Sequence, residues 1–164
     1  MKTILILLTF FLLASCGSQT NDNTPLQASI DSLQQKVNDT YRPGLGEFMS
    51  GIQLHHAKLW FAGTNKNWEL ADFEVHEIGE TLDDIKKYCT DRAEVKSIGI
   101  IDPAISSITE AIKQKDMESF KKGFVALTAG CNSCHNDNQH GFNVITIPTA
   151  LPVTNQEFKP GDKK

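Results

Sequence analysis

Residues 116–135 read DMESFKKGFVALTAGCNSCH. Within them Met117, Phe120, Phe124, Leu127, Cys131 and Cys134 recur at alternating steps of three and four, the seam of a helix packed against other helices. Both cysteines therefore end an apolar stripe. Upstream, Asp102-Pro103 has the form of a cap and first-turn proline, opening a helix with Ile105, Ile108 and Ile112 inward. Further back, Asn67 to Cys89 repeats the three-four seam through Trp68, Ala71, Val75, Ile78, Leu82, Ile85 and Cys89, with an acidic opposite face. Cys89 reads as a buried thiol acting as a small hydrophobe. Leu45 to Ala62 carries the stripe Leu45, Phe48, Ile52, His55, Leu59 and Ala62, flanked by Met49, Gln53, His56 and Trp60. Four amphipathic segments with no strand between them predict an all-α fold, a four-helix bundle.

Two appendages complete it. Leu26, Ile30, Leu33, Val37 and Tyr41 keep helical spacing up to Pro43-Gly44, a short lead helix. After Gly141 the period is lost, and Pro148, Pro152 and Pro160 forbid a long helix. Residues 141–164 are therefore expected as an extended arm, packed by Phe142, Val144, Ile145 and Ile147. The linker 90–101 has no strong signal.

The whole chain has 164 residues, 40% of them hydrophobic and 22% charged, which is enough for one core and too little for two. Its net charge of -4 excludes a basic nucleic-acid scaffold. Residues 1–15 read as a signal peptide, with Lys2 before the apolar run Ile4 to Leu13. That run ends in Leu13-Ala14-Ser15-Cys16, which resembles the lipobox of bacterial lipoproteins, whose cysteine is acylated and becomes the mature N-terminus. The expected organisation is signal peptide 1–15, flexible tether 16–27 anchored through lipid at Cys16, helical domain 28–140 and arm 141–164. Loss of Lys2 leaves 15 basic against 20 acidic side chains.

Cys131-Asn132-Ser133-Cys134-His135 is the attachment pattern of c-type haem. Two thiols three residues apart lie on adjacent turns of one helix face, where each can add to a porphyrin vinyl group, and the next residue offers an imidazole to the iron. Export agrees with this, because such attachment occurs outside the cytoplasm. A zinc site built from Cys131, Cys134 and His140 needs a fourth ligand, and the remaining domain cysteine lies far away in sequence. A thioredoxin-like pair needs a βαβ context, absent here. A structural disulfide is the third competing reading.

The stretch Ala111-Ile112-Lys113 to His135, with Asp116, Phe120 and Phe124 ahead of Cys131, resembles the last helices of the cytochrome c′ and c556 group. Tyr41-Arg42 and Met49 loosely resemble that group's first helix, which supplies the residue on the distal side of the iron. The resemblance implies a four-helix bundle holding one haem c near the end of its last helix, with His135 as proximal ligand, and it implies a dimer. It departs from the group in the segment QLHHAKLW (53–60) and in the arm. The sixth ligand is thus open: Met49, His56, His55, or none. Met49 and His56 are two turns apart, about 10.5 Å of rise, so only one can be centred over the iron. His76 belongs with Asp72 and Glu80 on the acidic face.

These readings lead to a lipid-anchored, single-haem cytochrome on the periplasmic or cell-envelope face of a bacterial membrane. It would pass electrons between redox partner proteins, with no catalytic residue of its own. A five-coordinate module binding nitric oxide or carbon monoxide is the alternative, and a peroxidase using His55 or His56 is the weakest.

Overall fold

The computed structural model describes residues 23–40 and 42–161. Residues 1–22, which hold the expected signal peptide, Cys16 and most of the expected tether, lie outside the described residues, as does Tyr41. The chain divides after residue 41 into two compact units. In the first, helix α1 spans Thr24–Asn38, with Pro25 in its first turn. Its apolar stripe of Leu26, Ile30, Leu33 and Val37 is exposed.

The second unit is an all-α bundle of four helices followed by the arm. Helix α2 is Leu45–Thr64 and begins after Gly44. Helix α3 is Trp68–Tyr88, capped by the Asn67 side chain, which accepts from the Leu70 N–H. Two 3-10 turns, Ala93–Lys96 and Ile98–Ile101, fill the linker and run directly into α4, Asp102–Gln114. Asp102 is thus the first residue of α4 and makes no side-chain cap, contrary to its reading as the cap, because the turn before it already has helical backbone; Pro103 does stand in the first turn as expected. Lys115 turns left-handed at φ 56° to end α4. Helix α5, Met117–Asp137, starts on the Asp116 carboxylate, which accepts from the N–H groups of Glu118 and Ser119.

Helix α2 packs mainly on α3, and α4 on α5. The largest fully buried side chains are Phe120, Phe124, Leu59, Ile78, Ile85, Ile108, Leu127 and Glu74. Trp60 stands 4.9 Å from Phe124 and Trp68 meets Phe120 edge-on at 6.0 Å, so aromatic rings fill one end of the bundle. There Gly63 lies against the Phe120 ring so closely that a Cβ has no room. Phe120 and Gly63 at one end, and Thr128 and His56 further along, show that α2 and α5 run antiparallel.

Two expectations change here. The inward residue of α2 is His56, 3% exposed, and His55 sits beside the stripe on the α3 side. Adjacent histidines have the same polarity, so periodicity alone does not choose between them. In the arm, Phe142 and Val144 are exposed, while Ile147 and Val153 pack on the core and Phe158 is buried 5.8 Å from Phe61. The arm is held by its far end and by polar contacts near its start.

Candidate functional site

At the end opposite Gly63 and Phe120, a cavity of about 320 Å³ lies between α2, α5, the linker turns and the beginning of the arm. This is the low end of the usual range for small-molecule sites, about 300–1,000 Å³. Helix α5 brings Cys131, Cys134 and His135 to it, and α2 brings Met49, Gln53 and His56. The apolar seam of α5 runs without a break from the core into this cavity.

His135 is oriented by the arm. Its Nδ1 is 2.6 Å from the carbonyl oxygen of Asn143, which only accepts, so Nδ1 carries the proton. In the neutral ring Nε2 is left with a free lone pair, the form a metal-binding imidazole takes when its second nitrogen is tied to a carbonyl. The first of the two residues between the cysteines also reaches the arm. Asn132 donates from Nδ2 to the Ile145 carbonyl and accepts at Oδ1 from the Ile145 N–H, each at 2.8 Å.

The three described cysteines are free thiols. Burial, with a smaller contribution from the neighbouring Cys134, pushes the Cys131 thiol up to about 11, and burial also raises Cys134. Both are therefore thiols at neutral pH. Disulfide exchange and zinc binding use the thiolate, so either would first have to displace a proton that burial favours. Among the described residues no group of three or more His, Cys, Asp or Glu side chains converges as a metal cage. Cys89 is buried at the end of α3, and burial raises its thiol too.

The distal candidates separate. His55 does not border the cavity; its Nδ1 pairs at 2.7 Å with Oε2 of Glu74, a fully buried carboxylate whose Oε1 has no partner. His56 borders the cavity, but its Nε2 is 2.9 Å from Oγ1 of Thr128. That hydroxyl donates to the Phe124 carbonyl at 2.9 Å, so it must accept from His56. Nε2 of His56 carries a proton, and only Nδ1 keeps a lone pair. Burial against Phe124 lowers its pKa to about 4, which keeps the ring neutral at pH 7. Met49 borders the same cavity and packs against the core.

Charged groups border the cavity on the linker side. Glu94 Oε1 accepts from Arg92 at 2.7 Å and lies 3.3 Å from His140 Nε2, and the Arg92 hydrogen bond holds its carboxyl at about 2. His76 pairs with Glu80 on the surface, away from the cavity. The sequence reading passes over Arg92, Glu94, Thr128, Asn132 and Asn143. Asn132 alone had a local signal, its place between the two cysteines.

No family model, curated protein or solved structure matches this chain. The site is read from its own residues.

Proposed function

We propose that the protein is a single-haem c-type cytochrome, anchored by lipid, that carries electrons between redox partners at the membrane surface. The observation that carries this reading is the donor set on one wall of the cavity: two half-buried free thiols on adjacent turns, followed by an imidazole whose Nδ1 is already bound and whose Nε2 is free. These residues fit haem c. Cys131 and Cys134 would each add S–H across a vinyl double bond, sulfur to one carbon and hydrogen to the other, with no oxidant required. His135 Nε2 would hold the iron. Haem bound there supplies a one-electron iron couple. The chain's own work is to orient the imidazole through Asn143; Ile52 and Ile101 line the cavity and would keep water from a bound ring, and Arg92 and His140, which border it beside Glu94, would supply donors for carboxylates such as the propionates.

Met49 would be the α2 residue to supply a second iron ligand: it borders the cavity with its thioether, His55 faces α3, and His56, held by Thr128 through Nε2, has only Nδ1 left to offer. A thioether would favour reduced iron and a higher potential. Matured protein should then show low-spin spectra with the weak near-infrared band of methionine on ferric haem. Met49→Ala should abolish that band and open the iron to carbon monoxide. Wild-type protein that is already high-spin and binds carbon monoxide would instead make this a gas-binding module.

Membrane attachment rests on Cys16. Among the described residues no helix is long and apolar enough to cross a membrane. Two or more acyl chains supply stable anchoring, at about 0.8 kcal/mol per buried methylene. Labelled palmitate should enter the wild-type chain and not Cys16→Ser; incorporation that survives the substitution overturns the lipobox reading and places the lipid on another residue.

A further inference from the structure

The arm crosses the attachment motif at two adjacent points, and both are hydrogen-bonded to it. Asn143 is held on one side by its own N–H, which donates to the His140 carbonyl at 2.8 Å, while the His140 N–H donates to His135 at 2.7 Å. On the other side, Asn132 grips both backbone groups of Ile145, as a neighbouring strand would. A primary amide has a donor and an acceptor on one rigid plane, so the two-point grip is open to Asn or Gln and closed to an apolar or acidic side chain. Between these fixed points lies the Asn143 carbonyl, 2.6 Å from His135 Nδ1, short for an N–H···O bond. The segment itself is exposed at Asn143 and Val144, so packing does not hold that carbonyl in place.

We propose that Asn132 is a positioning residue: by clamping Ile145 it holds the Asn143 carbonyl on His135 Nδ1, and so sets how strongly the proximal imidazole donates to the iron. This rests on the haem reading above and adds to it a control of potential by a residue between the two cysteines. A hydrogen bond from Nδ1–H to a carbonyl makes the other nitrogen more basic, which stabilises ferric relative to ferrous iron and lowers the potential. Loss of the clamp frees the strap, lengthens that bond and raises the potential.

The test is an equilibrium redox titration of matured, haem-loaded protein. Asn132→Leu, with the same branching and heavy-atom count and neither hydrogen bond, should shift the equilibrium about tenfold toward the reduced form, a rise of about 59 mV for one electron. Asn132→Gln, which keeps the amide, should restore much of the wild-type value. Ile145→Pro removes the N–H that Asn132 accepts without touching the motif, and should raise the potential as Asn132→Leu does; it decides the matter where Asn132→Leu fails to mature. Covalent haem with unchanged potential in Ile145→Pro and in any Asn132→Leu that matures overturns the clamp and leaves the haem reading standing. Wild-type protein without covalent haem overturns both.

Discussion

Cys131→Ala/Cys134→Ala, matured beside the wild type, will retain no pigment through denaturation, whereas each single variant will retain its colour through one remaining thioether. Both sulfurs border the same cavity from adjacent turns of α5, so each bond is made separately and either one suffices to hold the ring. The double variant should also melt well below the wild type, because without the ring the cavity between α2 and α5 is left unfilled and its lining loses the packing that the ring would supply. Met49, Gln53 and His56 of α2 would face Cys131 to Asn138 of α5 with nothing filling the space between. A haem-stained denaturing gel reads the first effect and a thermal melt the second. Pigment that stays bound in the double variant places the attachment elsewhere.

Acid should weaken the fold through His56. Its pKa is lowered from the ordinary 6.5 to about 4 by burial, so between those values the unfolded chain takes up a proton that the folded chain refuses. Stability is therefore intact above about 6.5, falls as the pH drops toward 4, and levels off below. A shift of that size corresponds to about 3 kcal/mol across the interval. His56→Gln keeps a polar partner for Thr128 and has no such proton. Urea unfolding of wild type and variant at pH 7 and pH 4.5 should show the wild type losing the larger share of its stability. The difference isolates His56 from carboxylates that titrate in both proteins, Glu94 among them, whose low pKa makes its own contribution fade only as the pH falls toward about 2. Equal losses in the two proteins contradict a buried neutral His56.

The bundle was legible because its seams are periodic. Phe120, Phe124 and Leu127, like Val75, Ile78, Leu82 and Ile85, are buried where the three-four pattern puts them. The pattern failed wherever position depends on a partner distant in sequence. Glu74 stands beside the seam, three residues after Ala71 and four before Ile78, but nothing local marks a carboxylate as fully buried; His55 on α2 reaches it there. The arm has no period, so nothing local distinguishes Phe158, which is buried, from Phe142, which is exposed at the cavity. In the candidate site, the spacing of Cys131, Cys134 and His135 announced a unit, and the structure brings all three to one cavity. The hydrogen bonds that orient that unit, Asn143 to His135 and Asn132 to Ile145, span eight and thirteen residues and follow no pattern a sequence displays.

The most direct measurement is the intact mass of the wild-type chain produced with a cytochrome c maturation system, followed by mapping of the fragment that contains Cys131 to His135. One haem per chain, carried on that fragment with both cysteines closed to alkylation after reduction, is the predicted result. An unmodified chain whose Cys131 and Cys134 both alkylate contradicts the central claim.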